Sequence, residues 1–233
     1  MMSSFAIRTL CILSLLASTS GASAGPGGVA EIPIQAGGSF SVPVVSMKEI
    51  RFQKTIHQQY DFSCGSAALA TLLTHHYNFP VSEQDIFREM FARGDQVKIK
   101  KEGFSLLDIK NYLAARGFDS DGYVAELDKL TAAGVPAIAL IKERGYHHFV
   151  VIKGLRDGRV LVGDPSAGTR AMPRGQFTEM WVNKILFVIK NKLDQARFNA
   201  DYDWQAAPRS PIEAGYHRGG TDLGLAKRGP ADF

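Results

Sequence analysis

A chain of 233 residues that is 45% hydrophobic and 21% charged can build a sizeable core, which excludes a disordered, collagenous or polytopic membrane protein. Its formal charge of +4 is spread along the sequence instead of gathered in one run, so it favours solubility over a nucleic-acid groove. At roughly 150 residues per domain the length fits one compact domain with loose ends.

Residues 1–24 read as a secretory signal, with Arg8 as the positive flank, Leu10 to Ala17 as the apolar stretch and Ala22-Ser23-Ala24 as a small-x-small cleavage site. The apolar stretch falls well short of the ~20 residues that span a bilayer. Export predicts a mature chain starting near Gly25. It also removes Cys11 and leaves Cys64 as the single thiol. A lone cysteine in an oxidising compartment is either a buried hydrophobe or a retained reactive group.

A Gly-rich stretch over 25–38 leads into strand-like runs at Phe40–Val45 and Ile50–Phe52. A helix is predicted from near Cys64, with Ala68, Leu69, Leu72 and Leu73 on one face and Asn78-Phe79-Pro80 as its stop. Ser82 with Asp85 opens a helix over 82–92, and Ser105 with Asp108 opens one over 105–116. Val97–Lys101 alternates as an exposed strand would. Short β-rich runs follow at Pro136–Ile141, His148–Ile152, Arg159–Val162 and Ile185–Ile189, and the links among the first three are too short for parallel crossovers. The fold class is therefore α+β, with N-terminal helices packed on a C-terminal antiparallel sheet. From Gln195 onward, eight Gly or Pro among 39 residues and only three Leu, Ile or Val predict a flexible tail outside the core. The domain reading is a signal at 1–24, an extension at 25–47, a domain at 48–190 and a tail at 191–233.

Cys64, followed by Gly65 and Ser66, sits at a helix N-terminus, where unpaired N–H groups and the helix dipole favour a thiolate and lower the thiol pKa. His148 opens a strand and could project toward that helix end. Asp164 ends the next strand, joined to the first by a hairpin at Arg156-Asp157-Gly158, so its carboxylate can accept from the histidine ring and set its tautomer. The three have the nucleophile, base and orienter roles of a cysteine hydrolase. Gln58, six residues before Cys64, is placed to aim a side-chain N–H at an oxyanion, with Gln59 as its rival.

Gln58-Gln-Tyr-Asp-Phe-Ser-Cys-Gly-Ser-Ala-Ala68, His148-Phe-Val-Val151 and Gly163-Asp-Pro165 resemble the bacteriocin-processing leader peptidases, cysteine-peptidase family 39, over about residues 48–190. The resemblance implies a papain-like fold, Cys64 as nucleophile, Gln58 as oxyanion donor, and His148 and Asp164 as base and orienter. It also implies cleavage of peptide leaders, commonly after a double glycine. Ser63 stands where many members carry Asp, and Ser66 where many carry Pro. Familiar members are the N-terminal domain of an ABC exporter, whereas this chain resembles the stand-alone exported type found with functional-amyloid (Fap) export systems. That implies a periplasmic cysteine endopeptidase acting on an amyloid subunit or another exported polypeptide beside outer-membrane secretion components. A peptide-binding accessory module without catalysis is the alternative.

No cofactor and no metal are expected. His57, His75-His76 and His147-His148 lack metal-binding spacing, since adjacent side chains on one helix or strand point apart. Trp181 and Phe187 read as core.

Overall fold

In the computed structural model, residues 28–33 and 39–209 are described; the expected signal at 1–24 and the tail beyond 209 lie outside the described residues. Gly28–Pro33 (β1) and Ser39–Val44 (β2) pair antiparallel in a unit that ends at Ser46. The second unit starts at Met47. Its N-terminal half holds α1 (Met47–Phe52), α2 (Cys64–Thr71), α3 (Glu83–Arg93), α4 (Gln96–Glu102) and α5 (Leu106–Ala114). Then come β3 (Ser120–Val124), α6 (Asp128–Ala133), β4 (Ala137–Glu143), β5 (Tyr146–Arg156), β6 (Arg159–Asp164), β7 (Gly168–Pro173), α7 (Arg174–Met180), β8 (Ile185–Ile189) and α8 (Asp201–Trp204).

The second unit's sheet has the order β3-β8-β4-β5-β6-β7, antiparallel throughout. Its β5–β6 turn places Asp157 and Gly158 both at positive φ, the geometry that matches the strands' twist. Along β5 successive side chains alternate between two cores: Phe149 and Val151 join Leu69, Ile86 and Ile109 from α2, α3 and α5. Val150 and Ile152 join Leu130 and Phe177 from α6 and α7. Because both faces of β5 are covered there, residues 149–152 read as an unbroken apolar run. Trp181 and Phe187 are buried, at 5% and 1% exposure.

The capping signals act as their residues predict. Ser82 accepts from the Asp85 N–H at 3.1 Å, and Ser105 and Asp108 form a reciprocal capping box. Two expected strands are helices instead. Val97–Lys101 lies in α4, because Asp95 accepts from the N–H groups of Val97 and Lys98 at 3.0 and 3.1 Å and so starts a helix there. Ile50–Phe52 closes α1, whose Glu49 and Arg51 complement the helix dipole.

The expected tail also needs correction as far as 209. Asp203 and Trp204 of α8 are 1% and 6% exposed. Asp203 forms an ion pair with the fully buried Lys153 of β5, and the guanidinium groups of Arg156 and Arg159 each lie 5.2 Å from the Trp204 ring. Docking runs through ion pairs, hydrogen bonds of Asn199 to β5 and one indole, so the low aliphatic content of this stretch does not reveal it. Among the described residues, no helix is long and apolar enough to cross a membrane.

Candidate active site

Cys64 is the first residue of α2, an eight-residue helix buried along its whole length. Ser63 makes no side-chain cap; its hydroxyl donates to the Tyr60 carbonyl at 3.0 Å and accepts from the Tyr60 N–H at 3.1 Å. The first amides of α2 are therefore left to other partners. Gly65 is demanded by packing, since a Cβ there would stand 3.0 Å from the Phe104 Cβ.

The expected lowering of the Cys64 pKa is overturned. Burial raises it, and this outweighs the lowering effect of hydrogen bonds from the Phe149 and Gly65 backbone; the nearby Asp164 charge raises it further. The thiol thus rests protonated, and a base must remove its proton. Alkylation of Cys64 by iodoacetamide, followed by mass spectrometry, should still be accelerating at about pH 9, later than for an ordinary thiol. A plateau reached below about pH 7 would instead reveal a standing thiolate.

His148 lies near the start of β5, and its Nε2 is 3.2 Å from Asp164 Oδ2 at the end of β6. Asp164 is 1% exposed. Its Oδ1 accepts from the Ser166 hydroxyl at 2.7 Å and from the N–H groups of Ser166 and Ala167 at 2.9 and 3.3 Å. Burial would raise the carboxyl pKa, but the bonds from His148 and Ser166 hold it well below the usual carboxylate range.

Arg170, which the sequence reading missed, donates to the same Asp164 Oδ2 at 2.8 Å and also bonds Glu143 through both of its terminal nitrogens. The signal was faint: a single arginine in Gly168-Thr-Arg-Ala-Met172, on a strand whose turn back from β6 pairs Asp164 with Gly168. Ligand atoms of Glu143, His148 and Asp164 lie within 4.8 Å of one another, the spacing of a metal cluster. The Arg170 guanidinium already meets the charge of both carboxylates, so the protein itself supplies the cation.

Gln58 and Gln59 point to different partners. The Gln58 backbone N–H donates to Pro165 O at 3.1 Å, which ties this segment to the Asp164 turn, and its side-chain amide donates to Tyr60 O at 3.1 Å. Gln59 instead accepts from Gln84 of α3 at 2.9 Å. Cys64 and His148 line a common cleft of about 1030 Å³, walled by Phe62, Phe104, Leu140 and Ile185, with Lys100 and Lys101 of α4 at its edge. Asp164 stands behind His148. Gln58 is outside the cleft lining, so the structure brings together Cys64, His148 and Asp164 and leaves Gln58 on the adjoining segment.

The family described as Peptidase C39 matches residues 53–193. The chain belongs to the C39 peptidase family. It is 36% identical over 206 residues to the probable functional amyloid protease FapD of Pseudomonas fluorescens, covering 88% of this chain and 87% of that one. It is 39% identical over 191 residues to the Pseudomonas aeruginosa protein of the same name, covering 78% of this chain and 80% of that one. Among solved structures, the peptidase domain of Streptococcus ComA, a bifunctional ABC transporter involved in quorum sensing, superposes with a TM-score of 0.50 at 22% identity. The match covers 58% of this chain and 97% of that domain, and it shows a shared C39 fold.

Proposed function

We propose that this C39 peptidase is an exported, periplasmic cysteine endopeptidase acting on a polypeptide of a functional-amyloid export system. The observation that carries the reading is one cleft holding Cys64 at a helix start and His148, whose Nε2 bonds the buried Asp164. With Nε2–H donated to Asp164, Nδ1 is the nitrogen that takes the Cys64 proton. The thiolate then attacks the peptide carbonyl, the amine leaves with a proton from His148, and water releases the acyl-enzyme. The Cys64 N–H stabilises the oxyanion together with the Gln58 amide, which exchanges the Tyr60 carbonyl for the charge that develops in the transition state. The likeness to two functional amyloid proteases supports the substrate class.

The test is incubation of the mature chain with the fibre subunits exported by its own host, with cleavage products read by mass spectrometry. Cleavage that Cys64→Ala abolishes is expected. Binding without cleavage would favour the peptide-binding alternative. An N-terminus near Gly25 on protein recovered from the envelope is the matching expectation for export.

Gln58→Ala should lower peptide turnover by about 10²–10³-fold, the loss typical of one oxyanion donor, while alkylation of Cys64 stays near wild type because it builds no tetrahedral oxyanion. Gln59→Ala, whose side chain serves Gln84, should leave both rates nearly unchanged. The reverse pattern would reassign the donor to Gln59.

A further inference from the structure

We propose that residues 195–209 form a clamp on the segment leading to Gln58, with Asp203 as its positioning residue. The clamp lies beyond the stretch matched by the family, which ends at 193, and its catalytic consequence rests on the proposed role of Gln58.

Lys153 of β5 is 0% exposed, and its ammonium meets three oxygens: Asp203 Oδ1 at 2.5 Å, the Lys54 carbonyl at 2.8 Å and Thr169 Oγ1 at 3.3 Å. From Lys54 the chain runs directly toward Gln58, held at Lys54, Thr55, Ile56 and Gln58. The hydroxyls of Thr55 and Thr169 share a hydrogen bond of 2.7 Å, the Ile56 N–H donates to Thr71 Oγ1 at 2.9 Å, and the Gln58 N–H donates to Pro165 O at 3.1 Å. Space beneath is closed as well. A Cβ on Gly163, the neighbour of Asp164, would lie 3.0 Å from Thr55 Oγ1 and 3.1 Å from Lys153 Cδ.

Of the three acceptors around Lys153, Asp203 alone carries charge, and a buried ammonium persists only with a counter-charge. Neutralising Asp203 makes Lys153 shed its proton or admit water, and either change loosens its hold on the Lys54 carbonyl. The slack passes from Lys54 through Thr55, whose partner Thr169 also meets the Lys153 ammonium, to strain the bonds that place Gln58. Displacement of an oxyanion donor by about 1 Å is enough to slow catalysis strongly. Asp203 does not anchor the clamp by itself. The Asn199 N–H donates to Lys153 O at 2.9 Å and Asn199 Oδ1 accepts from the Leu155 N–H at 2.7 Å, so the segment stays on β5 when the charge is removed.

The experiment compares wild type, Asp203→Asn and the double variant Lys153→Met/Asp203→Leu, all in the full chain. The double variant removes both buried charges and keeps apolar volume, a change that folded proteins commonly accept. It therefore serves where the single variant fails to fold. In each folded variant, amide exchange at Ile56 and Gln58 should quicken about tenfold or more. Peptide kcat should fall roughly tenfold or more, with KM and the Cys64 alkylation rate within about twofold of wild type. Unchanged exchange at Ile56 and Gln58 would overturn the clamp. Alkylation falling as far as kcat would overturn the positioning role in favour of general damage. Wild-type protein that cleaves no substrate, with exchange still quickened in the variants, would leave the clamp standing and overturn the role of Gln58.

Discussion

Replacing His148 with Ala is expected to lower peptide turnover by about 10²–10⁴-fold, the usual contribution of a positioned general base. The loss should be steep because burial holds the Cys64 thiol above its ordinary pKa, so no standing thiolate waits to act once the base is gone. The pH dependence has a definite sign. A thiol with a raised pKa yields more thiolate as pH climbs, so the residual activity of the variant should increase continuously toward alkaline pH. The decisive measurement is kcat/KM on a cleaved peptide across neutral and alkaline pH. Wild-type turnover in His148→Ala, or residual activity that is flat with pH, would remove His148 from the role of base.

A chain ending at 194 is expected to be less stable than one ending at 209 by about 3–5 kcal/mol, the cost of leaving one member of a buried ion pair without its partner. For a protein of this size that corresponds to a melting temperature lower by about 6–20 °C. The longer chain keeps Asp203 against Lys153, and the shorter one strands an ammonium that is 0% exposed in the intact fold. Calorimetry on the two truncations checks this directly. Equal melting temperatures would mean that Lys153 finds water or another acceptor at little cost.

The features legible in the sequence were those written in neighbouring residues. Ser82 with Asp85 and Ser105 with Asp108 cap the helices they were expected to cap, and Ile185–Ile189 is a strand over that same span. His148 and Asp164 could be paired because a two-residue turn at Asp157-Gly158 makes their strands neighbours. Val97–Lys101 misled because its alternation of apolar and basic residues suits a strand, while the deciding signal, the Asp95 cap, stands just before it. What stayed hidden depends on residues far apart in the chain. Arg170 acquires meaning only when Glu143, 27 positions away, is brought beside it. Lys153 and Asp203 look like two ordinary surface charges until the fold closes them away from water. Even the sign of the Cys64 pKa shift belongs to this class. The helix start that lowers it is local, whereas the burial that prevails comes from elements such as Phe104 and β5.

The covered, protonated state of Cys64 also bears on how long the protein can wait for work. Thiolates attack peroxides and disulfides far faster than thiols do, so a thiol that ionises only when a base draws off its proton reacts with them slowly. Dilute hydrogen peroxide at neutral pH should accordingly inactivate the idle protein slowly, as measured by residual alkylation of Cys64. The same burial that makes the nucleophile depend on His148 gives it durability between encounters with substrate.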